Sequence, residues 1–196
     1  MLFASVKHNI AEVVKGLNDV AKTQLPFAIA KGLTDTAKEV RIKMTDALPN
    51  QFDKPTPFTM RAFGYTPATK ARQIATVFVR HEQLKYLQFQ IDGGVRSPAR
   101  RALLIPKGVR LNQYGNMTRG AIKKLLSRPD VFSGKVDGVP GIYQRKGGKV
   151  ILLVAYADQV KYRRRYPFAE IGQRAVSKAF DGHFSAAIAK AVATMR

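Results

Sequence analysis

Val139-Pro140-Gly141-Ile142-Tyr143-Gln144-Arg145-Lys146-Gly147-Gly148-Lys149-Val150-Ile151-Leu152-Leu153-Val154-Ala155-Tyr156 is the stretch that decides the fold class. Its two halves, Val139 to Gln144 and Val150 to Tyr156, are rich in β-branched and aromatic side chains, which fit a pleated, half-buried surface. Between them stands Lys146-Gly147-Gly148-Lys149, and paired glycines take positive φ without a Cβ clash. The reading is an antiparallel hairpin closed by a Gly-Gly turn. Downstream, Val160 to Tyr166 predicts another strand. From about Pro167 a long helix is expected, with Phe168, Ile171, Ala175, Ala179, Phe180, Ala187, Ile188, Ala191 and Met195 on one side. Asp181-Gly182 is expected to kink or split it.

Upstream of the hairpin, Thr118 to Arg128 reads as a short helix. Ile122, Leu125 and Leu126 face inward, Lys123 and Lys124 face out, and Pro129 closes it. Residues 95–117 look irregular. Lys85 to Ile91 fits two periods: Leu87, Phe89 and Ile91 suit a strand, whereas Leu84, Leu87 and Ile91 suit a helix. Ile74 to Val79 reads as a half-buried strand, and Phe58, Met60 and Ala62 alternate with Thr59 and Arg61 in strand fashion. The first quarter reads as two helices. Ile10, Val13, Val14 and Leu17 form one stripe, with Ser5 as N-cap. Leu25, Ile29, Leu33, Val40 and Met44 form the next, with Pro26 in its first turn and Pro49 as its stop.

The order is N-terminal helices, a central antiparallel sheet with long loops, and a long C-terminal helix, which is the α+β class. At 196 residues a single domain is expected. Its parts are an N-terminal helical segment over 1–50, a basic β-rich body with one short helix over 51–166, and a terminal helix over 167–196 packing on that body. There is no cysteine, so disulfides and thiolate chemistry are excluded. No apolar run nears the ~20 residues of a membrane helix, and a soluble protein made in a cytoplasm is the expectation.

Charge narrows the partner. Lys plus Arg number 34 against 13 Asp plus Glu, a formal +21. Residues 1–50 carry +2, residues 51–130 carry +11 and residues 131–196 carry +8, so the excess is spread through the body. A fold this basic repels itself unless nucleic acid, an acidic membrane face or acidic protein lies beside it. Three clusters stand out: Arg96, Arg100 and Arg101; Arg119, Lys123, Lys124 and Arg128; and Tyr162-Arg163-Arg164-Arg165-Tyr166. In the last, arginines able to grip phosphate in a bidentate manner alternate with rings able to stack on a base. The competing reading puts the arginines in solvent, with Tyr162 and Tyr166 packed beneath.

Catalytic groups are sparse. His8, His81 and His183 are scattered, and none has a second ligand at helical metal-pair spacing. Asp92, Asp130 and Asp137 adjoin Gly or Pro, where Asp forms turns. The glycine pairs lack a phosphate-loop context. No enzyme, catalytic residue, metal or cofactor is expected, and no helix-turn-helix, finger, RRM or KH signature is present.

Leu111-Asn112-Gln113-Tyr114-Gly115-Asn116-Met117-Thr118-Arg119-Gly120 resembles phrases of tailed-phage neck and tail proteins. The layout adds to this: helices ending in Leu-Pro, strands, a Gly-Gly turn after an aromatic segment, and Arg-Tyr-Pro before a long terminal helix. Over roughly residues 21–196 the chain is similar to the lambdoid minor tail protein Z, or tail completion, family. The resemblance implies a structural virion protein of the head-tail junction, a neck ring that joins or seals head and tail. It would be assembled in the host cytoplasm, with no catalytic residues to carry over. The implied partners are neighbouring copies in a ring, other neck and tail proteins, and packaged double-stranded DNA met through non-specific phosphate contact. Arg96, Arg100, Arg101, Arg119, Lys123, Lys124, Arg163, Arg164 and Arg165 are the candidate contacts to DNA or acidic subunits. Ile188 and Val192 on the last helix are candidate subunit-interface residues. The charge supports an alternative equally: a non-specific nucleic-acid-binding module of ribosomal or nucleoid type.

Overall fold

The fold was obtained as a computed structural model, and it describes residues 3–6, 19–99 and 101–194. It is α+β, as the order of elements predicts. Backbone contacts divide the chain into two compact units, Met1–Ile91 with Tyr166–Arg196, and Asp92–Arg165. Residues 51–91 therefore belong with the terminal helices, whereas their composition had grouped them with the basic body. The reason is a shared core. Ala62, Phe63, Val77, Val79, Leu87 and Ile91 are buried in one cluster with Ile29, Leu33, Val40 and Met44 of the first long helix.

In the first unit the strand β1 (Phe3–Val6) precedes the helix α1 (Asp19–Asp46). Ser5 thus lies in a strand, where it pairs opposite Thr76, and does not cap a helix. The stripe Ile10 to Leu17 lies outside the described residues. In α1, Pro26 stands two turns inside the helix, not in its first turn. A proline removes one backbone hydrogen bond. The buried face just beyond it, Ala28 to Ala30 and then Leu33, is enough to hold the helix across the gap. Pro49 does not end the run outright. It sits in the first turn of a new short helix, α2 (Leu48–Gln51), where a missing N–H costs nothing.

The short helix α3 (Pro57–Met60) replaces the strand expected from Phe58 to Ala62. Thr56 caps it, its hydroxyl accepting from the Thr59 N–H at 3.1 Å. The strands β2 (Phe63–Thr66) and β3 (Ala75–Val79) follow, and β3 lies between β1 and β2 in an antiparallel sheet. The helix α4 (His81–Ile91) resolves the ambiguous stretch: Gln83, Leu87 and Ile91 recur every four residues and all are buried. The Gln83 amide donates to the Phe58 carbonyl at 3.1 Å, so even the polar member of that face is satisfied.

The second unit holds the ribbon β4 (Gly94–Arg96) with β9 (Val160–Tyr162), and a four-stranded antiparallel sheet. That sheet comprises β5 (Leu103–Pro106), β6 (Val131–Val136), β7 (Val139–Lys146) and β8 (Lys149–Ala157), in the order β5-β8-β7-β6. Residues 95–117 are accordingly less irregular than expected. Two-residue turns, Asp137-Gly138 and Gly147-Gly148, close the hairpins with positive φ at every position, which suits the twist of the flanking strands. A bulge between Ile142 and Tyr143 lets consecutive residues go inside, and Ile142, Tyr143, Leu153 and Val154 are all buried. The helix α5 (Ala121–Leu126) lays Ile122 and Leu125 on this core, while Leu126 is exposed.

The last helix, α6 (Phe168–Ala193), returns to the first unit and runs antiparallel to α1. It is continuous through Asp181-Gly182, where a break was expected. Phe180 and Phe184 stack across that point with centroids 5.1 Å apart, and Ala175, Ala179, Ala187 and Ala191 keep one face buried. At Gly32 of α1 an added Cβ would lie 3.1 Å from the Phe184 backbone, so the two helices approach closely there.

Candidate basic surface

The charge is concentrated by the fold. Residues 92–165 contain 17 Lys and Arg against 4 Asp, a net +13 for the second unit alone. This unit has a small core, five buried hydrophobic residues (Val131, Ile142, Tyr143, Leu153 and Val154) with a few half-buried neighbours, so most of its cations stand on surface that shields little.

The arginine triplet begins where β9 ends. The strand expected over 160–166 stops at Tyr162, and Arg163, Arg164 and Arg165 follow it as exposed chain outside any strand or helix. Gly93 explains the path. It has φ +76, and a Cβ there would come within 3.3 Å of the Tyr162 carbonyl and 3.4 Å of the Arg164 amide nitrogen. A side chain at this position would strain the backbone at positive φ and crowd the triplet. The ladder then pairs Gly94 with Tyr162, Val95 with Lys161 and Arg96 with Val160. This short ribbon therefore carries Arg96 and Lys161, and the triplet leaves its other end beside Gly93, although the two clusters lie some seventy residues apart in sequence.

Tyr166 has a different job from the one its neighbours suggest. It is 1% exposed, its ring stacks on Phe63 and Phe52 at centroid distances of 5.6 and 6.0 Å, and its hydroxyl donates to the Met44 carbonyl at 2.6 Å. Burial pushes its phenol well above the ordinary range, because the phenolate would lose its hydration. This ring cannot stack on a base. Of the two readings of Tyr162 to Tyr166, the packed one holds for Tyr166.

The other candidates are spread. Arg101 is exposed ahead of β5, and Arg100 lies outside the described residues. Arg119 is exposed in the turn before α5, with Lys123 and Lys124 exposed on the helix. Arg128 is engaged: its guanidinium grips both oxygens of Asp130, at 3.0 and 2.6 Å, and the Gln144 amide adds a third bond at 2.7 Å. These bonds, Arg128 first, hold the Asp130 carboxyl below its usual range. Ile188 is half-buried against the core of its own chain, whereas Val192 is 59% exposed.

Sequence reading treated the Gly147-Gly148 turn as scaffold and missed its charge. Lys146 and Lys149 pair directly across it, and Arg145 stands beside them with its guanidinium 4.5 Å from the Phe132 ring centroid. Like charges opposite one another destabilise a hairpin, so this tip gains from any anion it meets. The cue was present: two lysines flanking the turn.

Asn112 organises the phrase that carries the family resemblance. Its side-chain oxygen accepts from the Tyr114 and Asn116 N–H groups, each at 3.0 Å, and Gly115 takes φ +73. The phrase is a closed Asx turn that delivers Met117 to the sheet core. Among the described residues no three His, Asp or Glu side chains gather as a metal site would need. Comparison of the chain with protein families, with curated proteins and with solved structures found no match.

Proposed function

We propose that this chain is a structural, non-enzymatic component of a tailed-phage virion, at the head-tail junction, whose basic unit faces a polyanion. The observation that carries the polyanion part is the +13 of residues 92–165, held on a small β-unit with its arginines on one ribbon and on exposed chain. The resemblance of Leu111–Gly120 and of the chain's layout to the tail completion family supports the virion part. Packaged DNA and acidic faces of neighbouring ring subunits both satisfy the charge. The described elements offer no helix shaped for a groove within the basic unit, so DNA contact would be to phosphate and independent of sequence.

The alternative, a nucleic-acid module of ribosomal or nucleoid type, draws on the same charge. Burial of Tyr166 weakens it, because the strongest aromatic-arginine motif loses a stacking ring. Native mass of the purified protein, measured across a salt series with and without duplex DNA, separates the two. A closed oligomer, or capture by a partner ring, supports the virion role. A monomer whose only activity is salt-sensitive DNA binding supports the module. Chelator-sensitive cleavage of DNA in a clean preparation would contradict both.

A further inference from the structure

The first unit has a cavity that the charge clusters do not touch. It lies between α1, α2 and α6 and encloses about 510 Å³, within the range of ligand-sized clefts. Its floor is apolar, built from Ala47, Ile171 and Ala175, and its walls carry Lys43, Arg174 and Lys178. Arg174 and Lys178 stand one turn apart on the same face of α6 and are exposed. Among the described residues none of these three cations has an ion pair. The one carboxylate on the lining, Glu39, is already engaged by His183 at 2.7 Å.

We propose that this groove is a docking site for an acidic amphipathic segment of a partner protein, its apolar side chains on the floor and its carboxylates on Lys43, Arg174 and Lys178. Charge complementarity selects the sign of the partner, and the floor selects its kind. A nucleic acid brings phosphates but gains nothing from an alanine and isoleucine floor, and the lining offers no aromatic ring for a base to stack on. A helix with apolar side chains on one face and carboxylates recurring every turn matches both the floor and the spacing of Arg174 and Lys178. The guanidinium of Arg174 can hold one carboxylate in bidentate fashion, which fixes the segment's register. This inference does not depend on the virion reading, since it rests on the first unit alone.

The test uses the full chain and a fluorescein-labelled peptide of about four helical turns, with Leu on one face and Glu on its flanks. Its partners are the same peptide with Lys for Glu, and oligothymidylate of equal charge. Fluorescence anisotropy should show binding of the Glu peptide, and none of the Lys peptide. The variant Arg174→Glu with Lys178→Glu should weaken binding by about tenfold or more, because opposed charges become like charges. Both side chains are exposed, so an unchanged melting temperature verifies that this variant folds. Arg163→Gln with Arg164→Gln and Arg165→Gln should bind the peptide as the wild type does. Absence of binding, equal binding by the charge-reversed variant, loss in the triple variant instead, or displacement by oligothymidylate would each overturn the proposal.

Discussion

Tyr166 ties distant parts of the first unit together, its hydroxyl on the last turn of α1 and its ring between Phe52 and Phe63. Tyr166→Phe keeps the ring and strands the Met44 carbonyl, so chemical denaturation should show a loss of about 1 kcal/mol. The sign of the pH effect follows from the raised phenol. A proton held more tightly in the folded state stabilises the fold fully below the ordinary tyrosine value of 10.0, and that contribution is lost as pH rises beyond it. Stability measured from pH 8 upward should therefore fall less steeply in Tyr166→Phe than in the wild type. An identical slope would show that another group governs alkaline unfolding. From sequence alone Tyr166 looked equivalent to Tyr162, because both flank the arginines. What separates them is tertiary: the strand ends at Tyr162, and the chain then turns Tyr166 into a core assembled from residues far away in sequence.

Elements were legible wherever a local period met no competing one. The β7-β8 hairpin, the buried stripe of α1 and the length of α6 follow from spacing and turn chemistry. Two of the misread boundaries, at Pro49 and Asp181-Gly182, are places where a proline or glycine was taken as a stop. At Gly182 an added Cβ would meet nothing within 4 Å, so this glycine breaks no packing and merely weakens the helix. Gly182→Ala should raise stability by about 0.5–1 kcal/mol. Gly141→Ala should do the reverse, since its Cβ would sit 2.5 Å from the Val154 carbonyl and 2.8 Å from Leu152. A loss of about 1–3 kcal/mol in thermal or urea unfolding is expected there. If Gly141→Ala left stability unchanged or raised it, the described packing of β7 against β8 would be wrong. The outer face of α6 carries a further expectation. Val192→Asp, at an exposed site, should leave the melting temperature unchanged and block incorporation into particles. Ile188→Asp is a poorer probe of assembly, because Ile188 packs on its own core and its loss should unfold the chain instead.

Charge is the property of the whole chain that sequence states outright, but its placement required the fold. The +21 becomes two unequal shares once residues 92–165 separate as a unit, and Arg96 and the Arg163 to Arg165 chain come into one neighbourhood, at opposite ends of β9, only through the β4-β9 ladder. A ladder between segments so distant leaves no local periodicity to read. Replacing Arg163, Arg164 and Arg165 together by glutamine should reduce duplex DNA affinity and flatten its salt dependence, each lost phosphate contact removing about 0.9 from the log–log slope. If acidic subunits are the partner, DNA affinity should be weak from the start and neck assembly should fail in the same variant. Wild-type DNA binding together with wild-type assembly would leave these arginines as solvated surface. The most direct test of the structural virion role is to assemble particles without this protein and measure infectivity, with electron microscopy of the products. The account predicts heads and tails that fail to join, or joined particles that do not infect, with activity restored by adding the purified protein. Particles of normal form and full infectivity in its absence would contradict it.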